Sequence, residues 1–246
     1  MNLKMNRSEQ WQPYLRRYET GEWRAKIFRD LVLADASTMS QPVMLDIGCG
    51  TGFDDNFSLQ SAIAAASREY IGVEPDKSIQ VGEYITSIHR CFFEQAPIPS
   101  GSIDLAFSVM VLEHLEDPQR FFDKLRDVLR PGGVFWGFTM DARHWFVAAS
   151  LLATRLNIKE WYLQRLHGTR GEERYKNYRV SYRTNTPRQI ESFTSQFARL
   201  DILNFYSAGQ LDFYFPRRLQ WIGRMLSRAD HFSGMPGSII ALRLLR

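Results

Sequence analysis

Little in this 246-residue chain is suited to covalent or metal cross-linking. Cys49 and Cys91 are the two cysteines, too few for a disulfide framework or a zinc cluster. A reducing, cytoplasmic setting is the expectation that follows. No apolar run approaches the roughly 18 residues that a membrane-spanning helix needs. The opening stretch Met1-Asn2-Leu3-Lys4-Met5-Asn6-Arg7 lacks the apolar core of a secretory signal. The Gly-x-Gly-x-x-Gly dinucleotide fingerprint is missing, and so is the Gly-Lys-Ser/Thr of a phosphate loop. No metal constellation and no separate RNA-recognition motif is visible. What remains is an ordinary globular composition, 44% hydrophobic, with a length that fits one large domain or one domain with an elaborate extension.

Charge is unevenly spread. Residues 1–140 hold 14 Lys and Arg against 19 Asp and Glu; residues 141–246 hold 17 against 8. The basic half is almost all arginine, the residue favoured for carboxylate, phosphate and interface contacts. An anionic substrate, an anionic lipid surface or RNA would suit it, and so would a plain solvated face.

The most informative stretch is Val43-Met44-Leu45-Asp46-Ile47-Gly48-Cys49-Gly50-Thr51-Gly52. An apolar run of strand type stops at three glycines spaced one apart. Glycine accepts φ > 0 and has no Cβ, so the backbone can turn sharply and approach a ligand closely. A strand, a glycine loop and a helix form the nucleotide-binding corner of a doubly wound α/β sheet. Glu74 ends a second β-branched run, Tyr70-Ile71-Gly72-Val73, 22 residues beyond Gly52. A carboxylate at that strand tip can accept hydrogen bonds from both hydroxyls of a ribose.

Two later segments complete an ordered set. Ile103–Val109 reads as a strand running into Met110-Val111-Leu112-Glu113-His114-Leu115, and Leu129-Arg130-Pro131-Gly132-Gly133 is a sharp turn before the strand Val134–Thr139. Over residues 43–139 the chain resembles the class I S-adenosylmethionine-dependent methyltransferases, and within them the type-11 group. The resemblance implies a doubly wound, mostly parallel seven-stranded sheet of Rossmann-like methyltransferase type, with a helical N-terminal cap and C-terminal helical insertions. It divides the chain into a cap over 1–40, a cofactor-binding core over 41–140, and substrate-side insertions with the last strands over 141–246. The implied cofactor is S-adenosylmethionine, held by Asp46, Gly48, Gly50, Gly52, Glu74, Pro75, Phe92, Phe93, Ser108 and Val109. Family members often carry an adenine-binding acid where this chain has Phe92. Adenine is then left to backbone groups and aromatic packing near Phe92 and Phe93, or to another side chain. His114 is the candidate general base for a hydroxyl acceptor, since a side chain with a pKa near 6.5 suits proton removal; a capping or packing histidine is the alternative. His144 and Tyr182 are weaker candidates.

The remaining elements follow from periodicity. Residues 8–36 read as helix interrupted at Thr20-Gly21, with Tyr14 and Tyr18 either packing on the sheet or forming part of a lid. Asp54 and Asp55 stand at a helix start, either capping it or meeting an ammonium group of the cofactor. Lys77–His89 is expected to be helix and Cys91–Phe93 the third strand. Residues 119–130 and 144–166 are expected to be helical, and so are 187–197, with Thr186 as N-cap. Leu200–Phe205 and Ser238–Leu245 are the expected sixth and seventh strands. A basic amphipathic helix over 216–229 carries Arg217, Arg218, Arg224 and Arg228. It can lie on a bilayer, cover a domain edge or serve a dimer. The expected activity is methyl transfer to a small-molecule or lipid- or sugar-linked acceptor, O-methylation among the options. RNA or protein methylation and a non-catalytic binding module are the alternatives.

Overall fold

The computed structural model describes residues 9–156, 158–167 and 180–246. Seven strands form one sheet: β1 (Val43–Ile47), β2 (Glu69–Val73), β3 (Ser87–His89), β4 (Ile103–Val109), β5 (Leu129–Met140), β6 (Arg199–Phe205) and β7 (Ile239–Leu245). Their order is β3-β2-β1-β4-β5-β7-β6. The first five are parallel, and β7 runs antiparallel to both β5 and β6. This is the mostly parallel, doubly wound sheet that the motifs imply. The strand order reverses beside β1, so the loop after β1 lies at the crevice where such sheets bind ligands.

Both faces of the sheet are covered, which is why its central strands are nearly continuous apolar runs. On one face α1 (Gln12–Glu19), α2 (Arg24–Ala36) and α3 (Phe57–Ala64) meet Met44, Leu105, Phe107, Trp136 and Phe138. On the other, α4 (Pro118–Val128) and a later helix, Pro187–Thr194, meet Leu45, Ala106, Phe135 and Leu242. A register shift against β5 between Ile103 and Leu105 explains how these two residues, two apart on β4, serve opposite faces. Two further helices, α5 (Trp145–Arg155) and α6 (Ile158–His167), follow β5; the helix after them is α7 (Pro187–Thr194), and α8 is Gln220–Phe232.

Several expectations need correction. Lys77–His89 is not helical. Asp76 Oδ1 accepts the Ser78 amide at 2.8 Å, and Arg90 donates to the carbonyls of Asp76 and Ile79 at 2.9 Å each. Backbone groups that a helix would use are thereby taken by side chains, and Gly82 with Val81, Ile85 and Thr86 adds poor helix propensity. The third strand is Ser87–His89, paired in parallel with Ile71–Val73. It is not Cys91–Phe93: Phe93–Gln95 is a 3-10 turn. The helix expected over 187–197 ends at Thr194, and the one expected over 216–229 is a 3-10 turn, Arg217–Leu219, followed by α8. The helical stretch 144–166 divides into α5 and α6, and most of the polar run before Val180 lies outside the described residues. Thr186 is the N-cap of α7 as expected, accepting the Gln189 amide at 3.3 Å.

Tyr14 and Tyr18 resolve to packing. Tyr18 is buried edge-on against Phe205, and Tyr14 lies against Trp11. The deeper tie between the N-terminal helices and the sheet is Asp35 on α2. Its carboxylate accepts the Trp136 indole N–H at 2.7 Å and two N–H groups of Arg243 at 2.7 Å each. One acid thus holds α2 to β5 and β7, 101 and 208 residues away. Removing it leaves the largely buried Arg243 guanidinium with only the longer 3.9 Å contact to the Asp201 carboxylate. Asp35→Ala is expected to cost about 3–5 kcal/mol in urea unfolding. Asp30→Ala, which breaks the more exposed pair with Arg17, is expected to cost about 1 kcal/mol or less.

Candidate active site

Parallel strands deliver their C-terminal loops to one edge, and there a cavity of about 700 Å³ opens. It is lined by the loop after β1, the tip of β2, residues 92–95, and the segment from Val109 through the 3-10 turn Leu112–His114 into α4. Asp46, Gly48, Gly50, Gly52, Glu74, Pro75, Phe92, Phe93, Val109 and His114 all line it. Ser108 does not: it is fully buried beneath the cavity and its hydroxyl has no hydrogen-bond partner among the described residues.

The glycines are a steric requirement of the cavity wall. Gly52 has φ +110°, and a Cβ there would stand 2.6 Å from the backbone of Asn56 and Phe57, inside any allowed contact. Gly50 has φ +31°, and its amide donates to Glu74 Oε2 at 3.1 Å. The other oxygen, Oε1, accepts the Asp76 amide at 2.9 Å. Glu74, 4% exposed, is therefore held by backbone donors from two loops with its carboxylate at the cavity wall. Arg90 in turn pins the Asp76–Ile79 loop.

Asp46 is held by side chains that the sequence did not mark. Tyr70 Oη and Gln60 Nε2 both donate to its Oδ2 at 2.7 Å, and Tyr84 Oη donates to Gln60 Oε1 at 2.5 Å. Burial pushes the Asp46 carboxyl up to about 6; the two hydrogen bonds oppose that rise and the nearby Glu74 adds to it. Burial also pushes the adjacent Cys49 thiol up, so this cysteine is an inert packing residue, not a thiolate nucleophile. Asp54 and Asp55 precede α3 and do not cap it. Asn56 does, accepting the Leu59 amide at 2.9 Å. Asp54 takes two hydrogen bonds from Arg24 at 2.8 Å, and Asp55 accepts the Thr51 hydroxyl at 2.8 Å.

Where the family pattern has an acid, Phe92 is 54% exposed beside the cavity, and Phe93 is buried against Phe121 at 5.1 Å between ring centroids. Glu94 and Gln95 also line the cavity. An acid two positions after Phe92 was visible in the sequence, but only the 3-10 turn brings it to the wall. His114 lines the cavity from the 3-10 turn, while its neighbour Glu113 points inward. Glu113 is buried, accepts the Thr139 hydroxyl at 2.8 Å and has its pKa raised by burial. Asn185 donates to the same Thr139 oxygen at 2.6 Å, tying this turn to the segment before α7. His144 is not at the cavity. It is fully buried, its Nδ1 accepts the Phe146 amide at 3.2 Å, and burial lowers its pKa, which makes it a neutral packing histidine. Tyr182 lies at a second cavity of about 680 Å³, with Ser181, Arg155 and Arg183. Glu116 and Asp117 line both cavities, so the two adjoin.

A family model described as "Methyltransferase domain" matches residues 45–137. That stretch carries the glycine loop, Glu74 and His114. Residues 45–137 are thus similar to a methyltransferase domain. An uncharacterized methyltransferase of Mycobacterium sp. (strain KMS) is 34% identical over 113 residues, 42% of this chain and 41% of the relative. A probable S-adenosylmethionine-dependent methyltransferase of Mycolicibacterium smegmatis is 31% identical over 96 residues, 37% of this chain and 35% of the relative. The chain thus spans about half or less of the length of the curated relatives it matches. In fold, phosphoethanolamine N-methyltransferase 2 of Haemonchus contortus, solved with S-adenosyl-L-methionine, superimposes with a TM-score of 0.57 at 16% identity over 92% of this chain and 53% of that one. Among the described residues no helix is long and apolar enough to cross a membrane, and no group of three or more His, Cys, Asp or Glu could hold a metal ion.

The buried network around Asp46 has a direct consequence. Tyr70→Phe removes a hydrogen bond that favours the ionised carboxylate, so the Asp46 pKa is expected to rise above its value of about 6. Carbon-13 NMR titration of the Asp46 carboxyl measures it.

Proposed function

We propose that this chain transfers the methyl group of S-adenosylmethionine to a small-molecule acceptor, free or lipid- or sugar-linked, that carries an anionic group. The observation that carries the cofactor half is the pairing of Glu74 with a loop whose backbone bends through positive φ at Gly48, Gly50 and Gly52. Gly50 has no Cβ, and a Cβ at that position would stand 3.5 Å from Glu74 Oε2; that hollow suits a ribose whose hydroxyls donate to the carboxylate. Asp46, at the wall with Tyr70 and Gln60 behind it, faces the ammonium end. Phe92 and Phe93 offer aromatic surface to adenine, and Glu94 or Gln95 offers an acceptor for its amino group. Pro75 and Val109 supply apolar wall.

When bound, S-adenosylmethionine supplies a methyl group already activated on a sulfonium centre. The protein's task is then to hold the acceptor in line and exclude water, since orientation lowers the barrier by several kcal/mol or more. His114 is the cavity-lining group suited to accept a proton from a hydroxyl acceptor. The adjoining second cavity is where an anionic group would meet Arg155 and Arg183, which line it together with Glu116 and Asp117; Arg183 is set by donating to the Glu116 carbonyl at 2.6 Å.

Isothermal titration with S-adenosylmethionine tests the reading. Wild type is expected to bind, and Gly50→Arg and Glu74→Ala to lose binding by at least about tenfold; unchanged affinity in both would defeat the reading. Because the ligand's ammonium favours ionised Asp46, affinity is expected to weaken as pH falls through about 6, approaching tenfold per pH unit. Asp46→Asn is expected to flatten that profile. For the acceptor, labelled methyl supplied to a cell extract is expected to appear in an anionic small-molecule or lipid fraction. Arg155→Ala is expected to raise KM for that acceptor about tenfold with kcat little changed. Label in RNA or protein instead would move the acceptor to those classes.

A further inference from the structure

A surface helix ordinarily buries its apolar stripe and shows polar groups to water. Helix α8 does the reverse. Its buried residues are Gly223 and Ser227, while Trp221, Met225 and Phe232 are 61%, 55% and 94% exposed. Spacings of four and seven set these three on one face. The helix is not free to roll them inward. A Cβ at Gly223 would stand 2.9 Å from the Phe215 ring, and Asp230 is held by the Trp145 indole N–H at 2.5 Å. Further exposed apolar side chains are Leu152 on α5, Leu156 just beyond its end, and Trp161 on α6. Those helices are tied to the α8 region by the Trp145 bond and by Tyr162 Oη donating to the Tyr214 carbonyl at 2.7 Å.

The charge around this face has one sign. Residues 216–235 hold four arginines and one acid, Asp230. Arg224 is paired with Asp212 at 2.7 Å, which leaves exposed Arg217, Arg218 and Arg228. We propose that α8 docks the protein on a bilayer surface rich in anionic lipid, with Trp221, Met225 and Phe232 in the headgroup–acyl boundary and the arginines on lipid phosphates. Apolar burial plus attraction to anionic lipid is the driving force of an interfacial helix. A second copy of this chain fits less well, because a two-fold interface through the same patch sets arginines against arginines. The inference is independent of what the cavity binds.

Flotation of the full chain with phosphatidylcholine vesicles, with and without about one-third phosphatidylglycerol, tests it. Binding is expected to the mixed vesicles at least tenfold above the neutral ones, and to weaken with added salt. Arg217→Gln/Arg218→Gln and Trp221→Ser/Phe232→Ser are each expected to lower partitioning by about tenfold or more. Circular dichroism and S-adenosylmethionine titration identify the variants that keep the fold and the cavity. Four outcomes overturn the proposal: no flotation of wild type, equal flotation with both vesicle types, folded variants that partition like wild type, or a solution dimer that Trp221→Ser/Phe232→Ser converts to monomer without any lipid effect.

Discussion

The hydrogen bond from the Gly50 amide to Glu74 Oε2 joins the loop after β1 to the tip of β2, and the shape of the cavity depends on it. It exists because β1 and β2 run parallel in register, Ile47 beside Val73, so both strands release their loops at one edge. It also needs a backbone at residues 48, 50 and 52 that glycine takes with least strain. A buried carboxylate without donors would be costly. Here amides from Gly50 and Asp76 meet the need, and the acid is fixed at the wall before any ligand arrives. That is preorganisation: the ordering cost is met in folding and not again in binding.

Behind this wall lies a layer of side chains whose work is to hold other side chains. Tyr84, Gln60 and Tyr70 converge on Asp46; Thr139 and Asn185 converge on the turn that carries His114; Asp35 ties α2 to Trp136 and Arg243. Each centres on a buried polar group that would be penalised if left alone. The result is a site whose wall comes from the first half of the chain while part of its support comes from residues near 185. Five arginines of the basic C-terminal half lie at two surfaces. Arg155 and Arg183 face the second cavity, while Arg217, Arg218 and Arg228 flank an outward-facing apolar helix. One compositional bias thus serves two places.

The failures of the linear reading have a common form. Lys77–His89 carries enough apolar residues for a helical pattern, yet Arg90 and Asp76 capture its backbone groups and Tyr84 turns inward to Gln60. Ser108 sits at the C-terminal end of β4, where a ligand contact is expected, but strand alternation sends it beneath the cavity. His144 looks like a spare titratable group until burial and the Phe146 amide remove it from the chemistry. In each case burial and hydrogen-bond partners, some adjacent and some distant in sequence, set a role that residue type alone does not show.

What the residues determined by themselves was local and steric. Glycines at 48, 50 and 52 after an apolar strand, an acid at the tip of the next strand, and Pro-Gly-Gly, which falls at the register irregularity within the fifth strand and not in a turn before it, specify backbone paths, because few other residues can follow them; the sheet, the cavity and its glycine–acid wall were therefore legible. Tertiary structure alone decided which acid among Asp46, Asp54, Asp55 and Glu94 faces what, which histidine reaches the cavity, and which side of α8 meets solvent. Those outcomes depend on the partners that burial brings within hydrogen-bond distance, and such partners lie up to 208 residues apart along the chain.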